Sequence, residues 1–233
     1  MKLSIIIPCY NEDKYIEEII NSINSQPFSE KQIIVINDGS TDATKDKLES
    51  LKKFNKIDNL IHHEINKGKG AAIKSALKIV EGEIVIIQDA DLEYSPSDYQ
   101  NLVDPIIKGL TNVVYGSRFL NKKRFSFSDP INHNFRAGIN LFFTFLSNMF
   151  NGQKLTDAHT GYKVFRREII TNIKLVDNGF SFCPEVTAKV SKMKEKILEV
   201  PISFSPRSYR EGKKIKSIDG LRALKAIIFY NLL

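Results

Sequence analysis

The chain reads as an α/β protein with a mostly parallel central sheet and helices on both faces, and three observations predict it. Short apolar runs alternate with helical stretches over brief loops, the pattern of strand–helix–strand units with right-handed crossovers. Ile84-Val85-Ile86-Ile87 is four β-branched residues with no polar face, as a strand buried on both sides of a parallel sheet requires. Acids and glycines gather just after the apolar runs, at the strand ends where open α/β sheets bind ligands.

Leu3 to Ile7 is the first expected strand, stopped by Pro8. Tyr15, Ile16, Ile19, Ile20 and Ile23 then recur at helical spacing opposite Glu17, Glu18 and Asn24. Ile33 to Ile36 is a second buried strand. It runs into Asn37-Asp38-Gly39-Ser40-Thr41-Asp42, a turn that opens a polar helix ending near Lys53. Leu60 to His63 is a weaker strand. Asn66-Lys67-Gly68-Lys69-Gly70 leads into a helix carrying Ala72, Ala76, Ile79 and Val80. The central strand follows, then a helix from about Ser97 to Lys108 and a fifth strand, Asn112 to Tyr115. The pattern loosens after Gly116-Ser117-Arg118, so residues 119–233 read as an appendage to the sheet within one domain spanning 1–233.

The central strand feeds three acids at alternate positions, Asp89, Asp91 and Glu93. In extended backbone these point to one side and converge. Like charges held together repel unless a hard cation such as Mg²⁺ or Mn²⁺ lies between them. A solvated acidic turn capping the helix at Ser95-Pro96 is the plainer alternative. Asp38 has no capping duty and stands beside this cluster, free to accept from a base N–H or ribose hydroxyls. Gly68-Lys69-Gly70 is either an anion site at a helix start or a glycine turn with solvated lysines.

Several classes are excluded. Pro8-Cys9-Tyr10-Asn11 stands where a dinucleotide-binding fold needs G-x-G-x-x-G, and Gly68-Lys69-Gly70 lacks the remaining residues of a phosphate-binding P-loop. Two cysteines, Cys9 and Cys183, make no disulfide framework, and a reducing cytoplasmic setting is expected. The apolar start at Met1 to Ile7 is too brief for a signal peptide and is followed by Asn11-Glu12-Asp13-Lys14. No stretch approaches the ~20 apolar residues that span a bilayer. A formal charge of +7 favours an anionic partner without choosing among phosphates, nucleic acid and acidic membrane.

Taken together, these residues resemble the family 2 glycosyltransferases. The carriers are Ser4 to Glu12, Ile36 to Asp42, Asn66 to Gly70, Gln88-Asp89-Ala90-Asp91 and Gly116-Ser117-Arg118. The likeness is strongest to the dolichyl- or polyprenyl-phosphate mannosyl- and glucosyltransferase branch. It continues through Thr156-Asp157, Gly161 to Arg167, Phe182 to Val186, Val200-Pro201-Ile202 and Arg207 to Lys214.

The resemblance implies the GT-A fold, with residues 1–118 binding a nucleotide sugar and 119–233 lying on the acceptor side. It implies a GDP-mannose or UDP-glucose type donor and a Mg²⁺ or Mn²⁺ cofactor. Pro8, Tyr10, Glu12, Ile36 and Asp38 would hold the nucleoside, and Asp89 and Ala90 would touch the ribose or diphosphate. Asp91 and Glu93, with Asp89, would hold the metal; relatives often carry Gln at the position of Glu93. Arg118, Arg207 and Lys213 would meet phosphates, with Asp91, Arg207 and Lys213 as the catalytic set. Arg118, Arg136 and Asn140 would meet the acceptor phosphate, although a serine is expected at 140. Asn37 and His159 also depart from the commonest pattern.

The implied reaction is inverting transfer of a hexose to a polyprenyl or dolichyl phosphate. A phosphate monoester is largely dianionic at neutral pH, with a second pKa near ~6, and needs no general base. A saccharide hydroxyl would need one, with Glu185 and Asp157 as candidates. A non-catalytic nucleotide- or RNA-binding module is the remaining alternative, and no nucleic acid partner is expected. The chain lacks Trp, which excludes the Arg/Gln-x-x-Arg-Trp signature of processive synthases. The cationic segment Arg207 to Lys216 is expected to be a flap over the diphosphate. The aromatic run between Ala137 and Phe150, preceded by Lys122-Lys123-Arg124, suits either core packing or rest on the cytoplasmic face of an anionic membrane.

Overall fold

The computed structural model describes residues 1–121, 132–207 and 217–232. The first strand, β1 (Leu3–Cys9), is followed by α1 (Ile16–Asn24), β2 (Lys31–Asp38), α2 (Thr44–Lys53), β3 (Asn59–His63) and α3 (Lys69–Leu77). Then come β4 (Ile84–Ile87), a 3₁₀ turn (Pro96–Asp98), α4 (Tyr99–Ile107) and β5 (Val113–Ser117). The second half adds α5 (Asn132–Asn151), β6 (Lys163–Arg166), α6 (Arg167–Asn172), α7 (Phe182–Lys192), β7 (Ile197–Pro201) and α8 (Ser217–Leu232). Every strand expected in the first half is present, most of them one to three residues longer than their apolar runs.

The strands form one seven-stranded sheet in the order β3-β2-β1-β4-β6-β5-β7. All neighbours pair in parallel except β6, which is antiparallel to both β4 and β5. Two strands of the second half, β6 and β7, therefore complete the sheet rather than hang from it. β6 escapes recognition because Lys163 and Arg166 bound an apolar pair, while its Lys163 is wholly buried. β7 pairs on one side only and is half-exposed, so it has no apolar run to betray it.

The reason for the sheet's position lies in the side chains of β4. Ile84 and Ile86 point into one core with Ile16, Ile19 and Ile20 of α1, Leu48 of α2 and Leu102 of α4. Val85 and Ile87 point into the other core with Ala72 and Ile73 of α3, Ile170 of α6 and Val186 of α7. Both faces are thus covered, each buried aliphatic side chain contributing roughly 1.5–3 kcal/mol. The carboxyl ends of β1, β2, β4 and β5 share one edge, and the antiparallel β6 begins there, with Lys163 opposite Ile87.

Truncating Ile86, which is fully buried at the centre of the sheet, should cost about 2–5 kcal/mol through lost burial and a residual cavity. Denaturant unfolding of Ile86→Ala measures this; a loss under about 1 kcal/mol would contradict the central placement of β4.

Candidate active site

Beyond β4 the chain does not stay extended. It turns, and Leu92 adopts a positive φ of 59°. The three acids are gathered by this turn and not by strand alternation: the Glu93 N–H donates to Asp91 Oδ1 at 3.1 Å, closing the bend. Gln88 fixes the start of the turn. Its Oε1 accepts from the hydroxyls of Tyr99 (2.8 Å) and Tyr162 (2.6 Å), and its Nε2 donates to the Asp89 carbonyl at 2.9 Å. Nothing in the sequence singles out Gln88 for this duty.

Among the described residues, two cations from distant parts of the chain meet the acids. Lys69, at the start of α3, pairs with Asp89. Burial would push this lysine down, but the adjoining carboxylate holds it protonated, above its ordinary value. Arg207 reaches the others. Its Nη1 donates to Glu12 Oε2 at 2.9 Å and its Nη2 to Asp91 Oδ2 at 2.9 Å. Glu93 Oε1 accepts the Arg207 backbone N–H at 2.9 Å. The Tyr15 ring lies 5.1 Å from the guanidinium. Burial, reinforced by repulsion from Asp89 and Glu93, pushes Asp91 up to about 7 against the pull of Arg207.

Asp38 has more partners than its sequence suggests. It accepts from the backbone N–H groups of Lys67 (2.9 Å) and Gly68 (2.7 Å), and from His63 Nδ1 at 2.6 Å. The His63 Nε2 meets Ser75 Oγ at 2.9 Å, so the carboxylate ties the ends of β2 and β3 to α3. The start of α3 is no open anion site either. The N–H groups of Gly70 and Ala71 donate to the carbonyls of Gly179 (3.3 Å) and Asn178 (3.1 Å). Gly68, at φ 98°, passes so close to the Asn178 carbonyl that a Cβ would collide with it.

Pro8 does not stop the first strand but is its penultimate residue, and it and Tyr10, in the loop just after β1, are both half-buried at this end of the sheet. Ile36 and Ala90 differ from expectation. Ile36 is fully buried in the core with no exposed side-chain atom for a base, and Ala90 is 3% exposed among core residues. Sheet pairing and the turn after β4, respectively, hold them inward.

A second network lies at the end of β5. Arg118 donates from Nε and Nη2 to the two oxygens of Asp157, at 2.6 and 2.8 Å. Asn140 of α5 donates to the same carboxylate at 3.1 Å. The Asp157 N–H in turn donates to Glu199 at 2.8 Å. Burial alone would push Asp157 up, but the Arg118 guanidinium holds it below the usual carboxylate range. Arg118 and Asn140 therefore share one buried partner, Asp157. Glu185 is elsewhere, fully buried, accepting from the N–H groups of Val176 and Asp177 and from Lys189. That is a structural duty. Lys213 and the side chain of Arg136 lie outside the described residues, as does most of the expected flap, residues 208–216.

Gly161 is the other residue whose role appears only in three dimensions. A Cβ there would meet Asp89 Oδ2 at 2.5 Å and the Tyr94 ring at 2.7 Å, so only glycine lets β6 approach the acids. His159 beside it is pushed down to about 4 by burial and by neighbouring Lys163, so it is a neutral imidazole. Among the described residues its Nε2 is buried without a hydrogen-bond partner.

Among the described residues no three His, Cys, Asp or Glu side chains stand ready as a cation cage. Lys69 draws Asp89 aside, and Arg207 sits between the others. The donor chemistry nonetheless suits a hard divalent ion. Glu12, Asp91 and Glu93 converge on one guanidinium, leaving an excess of negative charge and carboxylate oxygens of the type Mg²⁺ and Mn²⁺ take.

Residues 4–173 match the family model described as Glycosyl transferase family 2. A UDP-N-acetylglucosamine–dolichyl-phosphate N-acetylglucosaminyltransferase of Methanococcus voltae is 29% identical over 246 residues, covering 98% of this chain and 94% of that protein. A dolichyl-phosphate β-glucosyltransferase of Trichomonas vaginalis is 30% identical over 229 residues, covering 92% of this chain and 68% of its own. Glucosyl-3-phosphoglycerate synthase of Mycobacterium tuberculosis, solved with Mn²⁺ and UDP-glucose, superposes with a TM-score of 0.75 at 17% identity, covering 100% of this chain and 79% of that one. The fold is GT-A.

The crowding of acids has a cost that can be measured. An unfolded Asp titrates near ~4. The folded chain therefore binds a proton at Asp91 between pH ~4 and about 7 that the unfolded chain does not. Stability falls as pH rises across that window and levels off above it. Without metal or nucleotide, Asp91→Asn should melt about 2–6 °C above the wild type at pH 8 and lose that advantage near pH 4, a pattern read by thermal denaturation across pH. A variant with the wild-type slope would assign the pH dependence to another group.

Proposed function

We propose that this chain, which belongs to glycosyl transferase family 2, moves a hexose from a nucleotide diphosphate sugar onto a polyprenyl or dolichyl phosphate, with inversion and with a divalent cation. Its relatives support the dolichyl-phosphate sugar transferase branch. The single observation that carries the reading is the convergence of Glu12, Asp91 and Glu93 on Arg207 at the carboxyl edge of a parallel sheet.

The nucleoside would lie across the ends of β1 and β2, against Pro8 and Tyr10, with the diphosphate over the turn after β4. Asp91 and Glu93, with Asp89, would hold Mg²⁺ or Mn²⁺. When bound, that cation neutralises charge on the departing diphosphate. Arg207 does the same as a two-pronged donor, and Lys213 joins it in this proposal. Gln88 and Gly161 act through the turn: one anchors its backbone, the other lets β6 close on Asp89.

Arg118, Asn140 and Arg136 would receive the acceptor phosphate on the far side of the sugar. The state of Asp157 supports a phosphate over a hydroxyl acceptor. It is wholly buried, held ionised by Arg118, and its oxygens accept from Arg118 and Asn140. A carboxylate so occupied orients its partners and makes a poor general base. A phosphate dianion needs none.

A peripheral seat on the cytoplasmic face of a membrane fits the exposed Leu141, Phe142, Phe145 and Met149 of α5, and Leu221 and Phe229 of α8. No helix among the described residues is long and apolar enough to cross a membrane.

Incubation with Mn²⁺, a panel of nucleotide sugars and a short polyprenyl phosphate should yield glycosylated lipid, detected by mass, from one donor. Asp91→Ala should lower the rate by about 10²–10³-fold. Donor hydrolysis without lipid product would point instead to a hydroxyl acceptor.

A further inference from the structure

Arg207 is bonded to the oxygens that a divalent cation would use. Its Nη2 is 2.9 Å from Asp91 Oδ2, and Glu93 Oε1 takes its backbone N–H at 2.9 Å while lying 3.9 Å from its Nε. Glu12 holds the other side of the fork, at 2.9 and 3.3 Å, from a position 195 residues away in sequence. The side chain is 11% exposed. A guanidinium and a divalent ion on the same carboxylates compete: their positive charges repel, and both draw on the same few oxygens. The arrival of either one weakens the hold of the other.

We propose that Arg207 is an internal counter-cation that keeps the empty site's metal affinity low until a nucleoside diphosphate draws it off the carboxylates. The inference rests on the function proposed above and adds an order to it. The diphosphate, arriving over the turn after β4, offers the guanidinium a bidentate anion in exchange for Glu12 and Asp91. Cation and nucleotide then strengthen each other beyond their direct contact, because the nucleotide draws Arg207 off the carboxylates and the cation releases it to the nucleotide. By linkage that coupling is reciprocal. A site of this kind does not load with free metal and wait; it assembles when the donor arrives. Arg207 is in this sense a gatekeeper of the donor site as well as a ligand of the leaving group.

The test is Mn²⁺ binding to the purified chain at pH 8, read from the electron paramagnetic resonance signal of free Mn²⁺, with circular dichroism checking the fold of each variant. Without nucleotide, Arg207→Gln should bind Mn²⁺ at least about tenfold more tightly than the wild type, and Arg207→Lys, which keeps the charge but loses the fork, by a smaller factor. With UDP or GDP, and after subtraction of the nucleotide's own chelation, the wild type should gain more Mn²⁺ affinity than Arg207→Gln does. If Arg207→Gln fails to fold, Arg207→Lys decides. Variants that bind Mn²⁺ no more tightly than a wild type responsive to nucleotide overturn this inference alone. A wild type that binds no Mn²⁺ with either nucleoside diphosphate overturns the proposed function and this inference together.

Discussion

Negative charge gathered at the tip of one central strand is the constraint on which the rest of the molecule depends. Four carboxylates, Glu12, Asp89, Asp91 and Glu93, are held close together in partial burial, and among the described residues Lys69 and Arg207 make that tolerable. Lys69 is delivered by α3, Arg207 by the chain that follows β7. Each delivery has its own supports. Asp38 clips the loop before Lys69 through two backbone N–H groups and His63, and the carbonyls of Asn178 and Gly179 cap the helix that bears it. The Arg207 backbone is anchored on Glu93 itself. Buried charges kept in such balance are poor stabilisers, since their desolvation offsets most of the attraction. They are maintained here at the expense of stability, as the raised Asp91 indicates.

The sheet was legible wherever apolar periodicity carried it. Ile84 to Ile87 is visible because burial on both faces leaves no polar position, and the Ile spacing of α1 is visible because one face alone is covered. β6 and β7 were not legible. A fully buried lysine, satisfied by the carbonyls of Ala158 and Thr160 and lying 4.0 Å from the centre of the Tyr115 ring, breaks the pattern that would announce a strand. An edge strand paired on one side carries too little apolar surface to register.

The candidate site was legible in its membership more than in its wiring. Glu12, Asp91 and Glu93 do converge on Arg207, Asp89 pairs with Lys69, and Arg118 and Asn140 share Asp157. Which acid pairs with which cation depends on side-chain reach across well over a hundred residues, and no local spacing encodes it. Asp38 illustrates the point: its position at a strand end suggested a ligand-facing carboxylate, while three intramolecular donors take it. Gln88 and Gly161 act on geometry alone, so residue type gave no hint of either.

The place of β6 bears on how the chain acquires its shape as it is made. β5 touches β4 nowhere along the sheet; residues 163–166 lie between them and bond to both. A nascent chain can zip β1, β2, β3 and β4 together as they emerge, yet its fifth strand must wait for some fifty further residues before it has a neighbour. Such late, long-range pairing slows folding and leaves apolar edges open to other chains meanwhile. The two halves of the chain are thereby laced into one sheet, and neither could be exchanged without carrying the lacing strand along.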